Sequence, residues 1–201
     1  VKKLLPLAAS IVILSGTACE EEGGPLPPPP PPGPRNTPAE VLKTVEISFN
    51  QREIEILKKS LSPDFVFYFD PDDVGQNPPG KPYIIPESWS YTEFGVTVAK
   101  MFRKAYSIKL TIPTSQIGTP DPGQTTYKAE NVPISLLVML DGLQGYIAGQ
   151  GYCNFAFESY TSEAGKKYWR LTKWWDRTSV GLDAGPGVAP ASLGRILAIY
   201  H

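Results

Sequence analysis

The residues of this chain whose types and spacing could do chemistry are two aspartates, one arginine and a set of aromatics. Asp70 stands before Pro71 at the end of an apolar stretch, where an aspartate can act as a general base or simply start a turn. Arg170, Trp174 and Asp176 fall at even spacing in an alternating segment. On a regular strand they share one face, a cation, an aromatic plane and an acid side by side. With Tyr68, that face would line a site for a small polar-aromatic ligand. The Trp174-Trp175 doublet must put one indole on each face. His201 is the single histidine, which excludes Ser-His-Asp and Cys-His catalysis and histidine-ligated zinc. Asp70, Asp72 and Gly75 fit the start of a calcium loop, but Val74 and Lys81 stand where further ligands are needed, so no metal is expected. Gly145, Gly149 and Gly151 lack the spacing of a dinucleotide loop and read as strand bends, so no cofactor is expected.

Charge narrows the partners. Lys plus Arg number 19 against 20 Asp plus Glu, a net charge of -1, which gives no electrostatic basis for binding nucleic acid.

The first residues carry an address. Lys2-Lys3, an apolar run over residues 4–14 and the small residues Ser15-Gly16-Thr17-Ala18 match a secretory signal peptide. Small residues directly before Cys19 resemble the bacterial lipobox. That resemblance implies cleavage after residue 18, lipidation of Cys19, and anchoring to a bilayer of the bacterial cell envelope. An ordinary cleaved signal that leaves Cys19 as a free thiol is the alternative. The other cysteine, Cys153, reads as a buried strand residue. Residues 19–35 then form a proline-rich linker that includes Pro27 to Pro32, a run that favours an extended polyproline II rod of about 3.1 Å per residue. It reads as a spacer between bilayer and domain, or as a ligand for proline-recognising domains. The domain itself is expected over residues 36–180, with a Gly/Pro-rich tail and a short helix over 181–201.

The elements that must position the candidate groups follow from periodicity. Thr37-Pro38-Ala39-Glu40 is a helix start, and Val41, Val45, Phe49, Ile54, Leu57 and Leu61 continue two helices broken near Asn50. Residues 64–70 read as a strand. A loop to Pro86, a third helix through Phe94, Val98, Met101, Phe102 and Ala105, and a strand over residues 108–112 come next. Strands over residues 127–140, 146–160 and 168–178 complete an α+β class, with N-terminal helices packed in a strongly curved antiparallel sheet. Leu193, Ile196, Leu197 and Tyr200 give the final helix one apolar side, to dock on the domain or to meet a partner.

A helix pair, the segment Ser62-Pro63-Asp64-Phe65-Val66-Phe67-Tyr68-Phe69-Asp70, a third helix and long strands ending in Tyr168-Trp169-Arg170-Leu171-Thr172-Lys173-Trp174-Trp175-Asp176 together resemble the nuclear-transport-factor-2-like superfamily, of the SnoaL-like and ketosteroid-isomerase-like type. The resemblance spans residues 36–179. It implies a cone whose bent sheet wraps the helices and leaves a cavity at the open end, which the last helix would cap. In the isomerase branch a general-base aspartate precedes a proline at the end of the first strand, as Asp70-Pro71 does. The oxyanion-hole tyrosine has no counterpart between Thr37 and Asn50, and the buried acid would fall near Cys153 or Asn154. The expectation is therefore a non-catalytic module binding a small ligand or a partner, with self-association through the sheet face as a further use. The alternative is a lyase, cyclase or isomerase in which Asp70 or Asp176 lines a closed apolar cavity as a base with raised pKa.

Overall fold

A computed structural model describes residues 35–179 and 186–201. Cys19, the signal, nearly all of the linker and the first part of the tail lie outside the described residues. Helix α1 (Pro38–Gln51) starts where its sequence demands, with the Thr37 hydroxyl accepting the N–H of Glu40 at 3.2 Å and proline in the first turn. Arg52, at φ 61, ends it. The break thus falls two residues after Asn50, whose amide instead ties α1 to the next layer by donating to the Leu110 carbonyl at 2.9 Å and accepting its N–H at 2.7 Å.

After α2 (Ile54–Ser60), strand β1 (Leu61–Tyr68) begins three residues earlier than expected. It buries Phe65 and Phe67 and turns Val66 and Tyr68 outward. The proline-rich stretch that follows is a folded excursion, closed by bonds such as Phe69 N–H to Glu87 at 3.0 Å and Ile85 N–H to Gln76 at 2.9 Å. It returns as β2 (Ser88–Ser90), a strand too short to carry periodicity. Helix α3 (Tyr91–Lys104) opens on a capping box between Ser90 and Glu93.

Strands β3 (Ser107–Thr111), β4 (Thr126–Pro133), β5 (Ser135–Met139), β6 (Gly145–Ala148), β7 (Gln150–Thr161), β8 (Lys167–Ser179) and β9 (Val188–Pro190) precede helix α4 (Leu193–Ala198). They form two sheets, ordered β2-β1-β8-β7-β4 and β3-β5-β6-β9. Pro133 faces Tyr152 across β4 and β7, and Leu136 faces Ala148 across β5 and β6. The two sheets are thus halves of one long hairpin, bent where Ile134 and Gly149 leave the ladder. The α+β expectation with a strongly curved sheet is met by these elements. Two pairings correct the all-antiparallel expectation: β1 runs parallel to β8, and β6 parallel to β9. Neither is joined by a hairpin, so no local pattern in the sequence announces it.

The concave side holds the core. Trp174 is fully buried between Phe155 at 5.3 Å, Phe67 at 5.7 Å, Phe94 at 6.0 Å and Phe49 at 6.4 Å, centroid to centroid. Aromatic side chains of the protein itself occupy the space under the sheet. At its far end Leu193, Ile196 and Leu197 of α4 are completely buried against α3, β5, β6 and β8. No helix among the described residues is long and apolar enough to cross a membrane.

Candidate functional site

The site is set by one extra residue in β8. Lys173 faces Ala156 and Leu171 faces Phe157, so Thr172 has no partner of its own across the ladder and forms a bulge. Its hydroxyl donates to the Ala156 carbonyl at 3.0 Å. Before the bulge Trp169 and Leu171 point inward; after it the inward residues are Trp174, Asp176 and Thr178. Arg170 therefore does not share a face with Trp174 and Asp176, correcting the shared face read from strict alternation. It stands outside, stacked over the rings of Tyr168 at 5.3 Å and Tyr160 at 5.4 Å.

Asp176 is 0% exposed. Its Oδ1 accepts the Thr178 N–H at 2.9 Å and hydroxyl at 2.6 Å, and the Cys153 thiol lies at 3.9 Å. Its Oδ2 accepts the Gly194 N–H at 2.6 Å from the start of α4. The Thr178 hydroxyl accepts the next available donor, the Leu193 N–H, at 2.7 Å. No Lys, Arg or His forms an ion pair with Asp176 among the described residues. Burial therefore pushes its carboxyl up to about 6, against the opposing pull of the bonds from Thr178 and Gly194. Position 194 must be glycine, because a Cβ there would stand 2.6 Å from the Phe69 ring and 3.0 Å from Asp176 Oδ2.

A second carboxylate holds the same helix. Asp73 is buried, accepts the Ser192 hydroxyl and pairs with Arg195 at 3.1 Å. Burial raises its pKa more than Ser192 and Arg195 lower it. Sequence reasoning missed Asp73, Ser192, Thr178, Gly194 and Arg195. The one available signal was Ser192 as an N-cap ahead of an apolar helix. Asp70 occupies a turn: its Oδ1 accepts the Asp72 N–H at 2.9 Å and its carbonyl the Asp73 N–H at 2.9 Å. This is the hydrogen bonding of an Asx turn. No group of three His, Cys, Asp or Glu among the described residues is placed to hold a metal ion.

The accessible chemistry is on the outer face of the sheet, where the second indole of the doublet lies. Trp175 stacks on Tyr68 with centroids 5.4 Å apart and planes 10° apart, and Lys173 Nζ stands 5.9 Å from its ring. Three adjoining hollows share Trp175 as a wall. One of about 530 Å³ crosses the sheet over Ala156 between Lys128, Lys173 and Glu158; one of about 400 Å³ adds Tyr68, Glu87 and Arg177; one of about 170 Å³ adds Glu130 and Asn154. Tyr68 thus belongs to this outer site, whereas Trp174 belongs to the core.

No family model and no curated protein matches the chain. Solved structures to which it is similar include a nuclear transport factor 2 (NTF2-like) superfamily protein from Salmonella enterica subsp. enterica serovar Typhimurium str. LT2, 12% identical, covering 73% of this chain and 90% of that one at a TM-score of 0.46. A conserved protein from Planctomyces limnophilus DSM 3776 is 12% identical over 69% of this chain and 91% of that one, at 0.45. An LEH-like epoxide hydrolase of M. tuberculosis is 10% identical over 70% and 81%, at 0.40. At these values the activities of those proteins stay their own.

Proposed function

We propose that this chain is a non-catalytic binding module, tethered to a bilayer of the bacterial envelope through lipidated Cys19, that takes a small polar-aromatic ligand on its outer sheet face. One observation carries the binding half of this reading: the hollows converge on Trp175, while the fully buried acid Asp176 has both oxygens occupied by protein donors. An aromatic ring or the apolar face of a sugar would stack on the indole. Lys128, Lys173 and Arg177 would meet acidic substituents, and Glu130 and Glu158 would meet hydroxyls. The tether rests on the sequence alone, on the small residues before Cys19 and the proline run after it.

Two measurements test the proposal. Intact mass of the chain purified from bacterial membranes should show the signal removed and acyl chains on Cys19, and a mature chain with a bare thiol would overturn the anchor. Native mass spectrometry of the same material should show a retained small molecule whose mass is absent from Trp175→Ala; a clean apo mass under gentle ionisation counts against ligand binding. A second reading, general-base catalysis by Asp176, is favoured by its pKa of about 6 in an apolar surround. It requires α4 to leave, because Gly194 covers the carboxylate.

A further inference from the structure

Arg35 and Arg170 are brought together on the outer face, at the end where the proline-rich segment joins the domain. The Trp169 N–H donates to the Arg35 carbonyl at 2.7 Å, which lays the chain beside the start of β8. Arg35 stacks over the Tyr168 ring at 5.7 Å, and Arg170 lies over the same ring at 5.3 Å. Two guanidiniums thus share one tyrosine, and neither forms an ion pair among the described residues. Glu158 faces Arg170 in the strand register, but accepts the Tyr160 hydroxyl at 3.3 Å instead. Arg35 Nη1 and Arg170 Nε are shut away from water without an acceptor. Such donors are costly and have no room beside them for an ion, so the groups left for one are the other guanidinium nitrogens, which make no hydrogen bond among the described residues. Burial, and then the nearness of Arg170, holds the Arg35 pKa below its usual value. Beside the pair, a hollow of about 370 Å³ is lined by Arg170 with Glu55, Lys58 and Lys59 of α2, Arg35 lying outside its lining. Lys58 is paired with Glu55 at 3.1 Å; Lys59 is exposed and has no ion pair among the described residues.

The geometry points to an oxyanion site for a phosphate group, built from the forks of Arg35 and Arg170 with Lys59 at its rim. A phosphate supplies what two adjacent cations without an acid need: more than one negative oxygen, placed to bridge two planar forks. A single carboxylate neutralises one of the two cations. The phosphate group can belong to a lipid headgroup or to free phosphate in solution. The site stands apart from the Trp175 hollows and does not depend on the ligand-binding reading above.

The test uses the full chain, with every arm, wild type included, carrying Cys19→Ser so that no acyl anchor drives sedimentation. Sodium phosphate is titrated calorimetrically at ionic strength held constant with chloride, and vesicles of phosphatidylcholine with and without phosphatidylglycerol are sedimented with the protein. Arg35→Gln/Arg170→Gln should weaken phosphate binding by about tenfold or more, and the exposed-rim variant Lys59→Gln by about threefold. Lys109→Gln, on a distant strand, should leave it unchanged. Loss of phosphatidylglycerol-dependent sedimentation in the double variant assigns the site to a headgroup. Phosphate binding lost in the double variant with unchanged sedimentation assigns it to free phosphate. If wild type takes up no phosphate at millimolar concentration and sediments like the double variant, the site does not exist. Should the double variant unfold, Lys59→Gln decides: equal phosphate affinity and equal sedimentation to wild type overturn the proposal.

Discussion

The backbone N–H of Gly194 donates to the Asp176 carboxylate at 2.6 Å, so the last helix is held to the last long strand through one buried side chain, with no third residue between them. The contact closes the far end of the core, where Leu193, Ile196 and Leu197 are buried. It also binds the described part of the tail to the domain as one unit, reinforced by Ser192 and Arg195 on Asp73.

Gly194→Ala tests how tightly that meeting is packed. A methyl group at this position would enter the Phe69 ring and crowd Asp176 Oδ2. Forcing it in should cost about 2 to 3 kcal/mol, read as a lowered urea midpoint at unchanged slope. A loss below about 0.5 kcal/mol would show that α4 sits loosely.

Acidity should strengthen the fold over one window. The Asp176 carboxyl stands at about 6 in the folded protein, above the value of about 3.9 expected when unfolded. The native state therefore binds its proton more tightly. The stability linked to this group is fully present below about pH 4 and is lost as pH rises through 6, a change of about 3 kcal/mol in all. Asp73, also raised, acts in the same direction. The lowered carboxyls of Glu93 and Asp141 oppose it, losing their stabilising bonds as pH falls. Subtracting the urea-unfolding profile of Asp176→Asn from that of wild type isolates the Asp176 contribution, and a difference that does not vary between pH 4.5 and 7.5 would contradict the assignment.

The two tryptophans of the doublet should separate cleanly. Trp174→Ala removes an indole packed among four rings and should cost about 3 to 5 kcal/mol. Trp175→Ala, on the outer face, should cost about 1 kcal/mol, chiefly the lost stack on Tyr68. Denaturation midpoints of the two variants check this order.

The bulge makes its own prediction. Deleting Thr172 removes the extra residue: Leu171 stays inward, Lys173 follows it outward opposite Ala156, and Trp174 and Asp176 keep their inward places in a regular ladder. The variant should keep cooperative unfolding by circular dichroism, and its loss would contradict the bulge. Thr172→Val keeps the residue count and loses the bond to the Ala156 carbonyl, costing about 1 kcal/mol.

How far the sequence could be read depends on the range of the interactions involved. Helix α1 was legible because Thr37, Pro38 and Glu40 act within one turn, and β1 because residues 65–69 are a run of aromatic and β-branched side chains too short for a helix. The bulge at Thr172 was not, since Leu171-Thr172-Lys173-Trp174 reads as an unbroken strand and only the partner strand reveals the extra residue. Strict alternation accordingly groups Arg170 with Trp174 and Asp176, with which it shares no face, and leaves open which indole of the doublet points outward. Asp73 looked like an ordinary turn residue among Asp70, Pro71 and Asp72. Its burial depends on Ser192 and Arg195, more than a hundred residues later. Gly194 carried no signal at all, because its need to be glycine arises from Phe69 and Asp176.

On the proposed reading, ligand binding belongs to the outer face around Trp175 and not to the interior around Asp176. Native mass spectrometry of the chain purified from its host, run on wild type, Trp175→Ala and Asp176→Asn, tests it most directly. A retained small molecule is expected on wild type and on Asp176→Asn, lost from Trp175→Ala. A molecule kept by Trp175→Ala and lost from Asp176→Asn would place the site inside and contradict it.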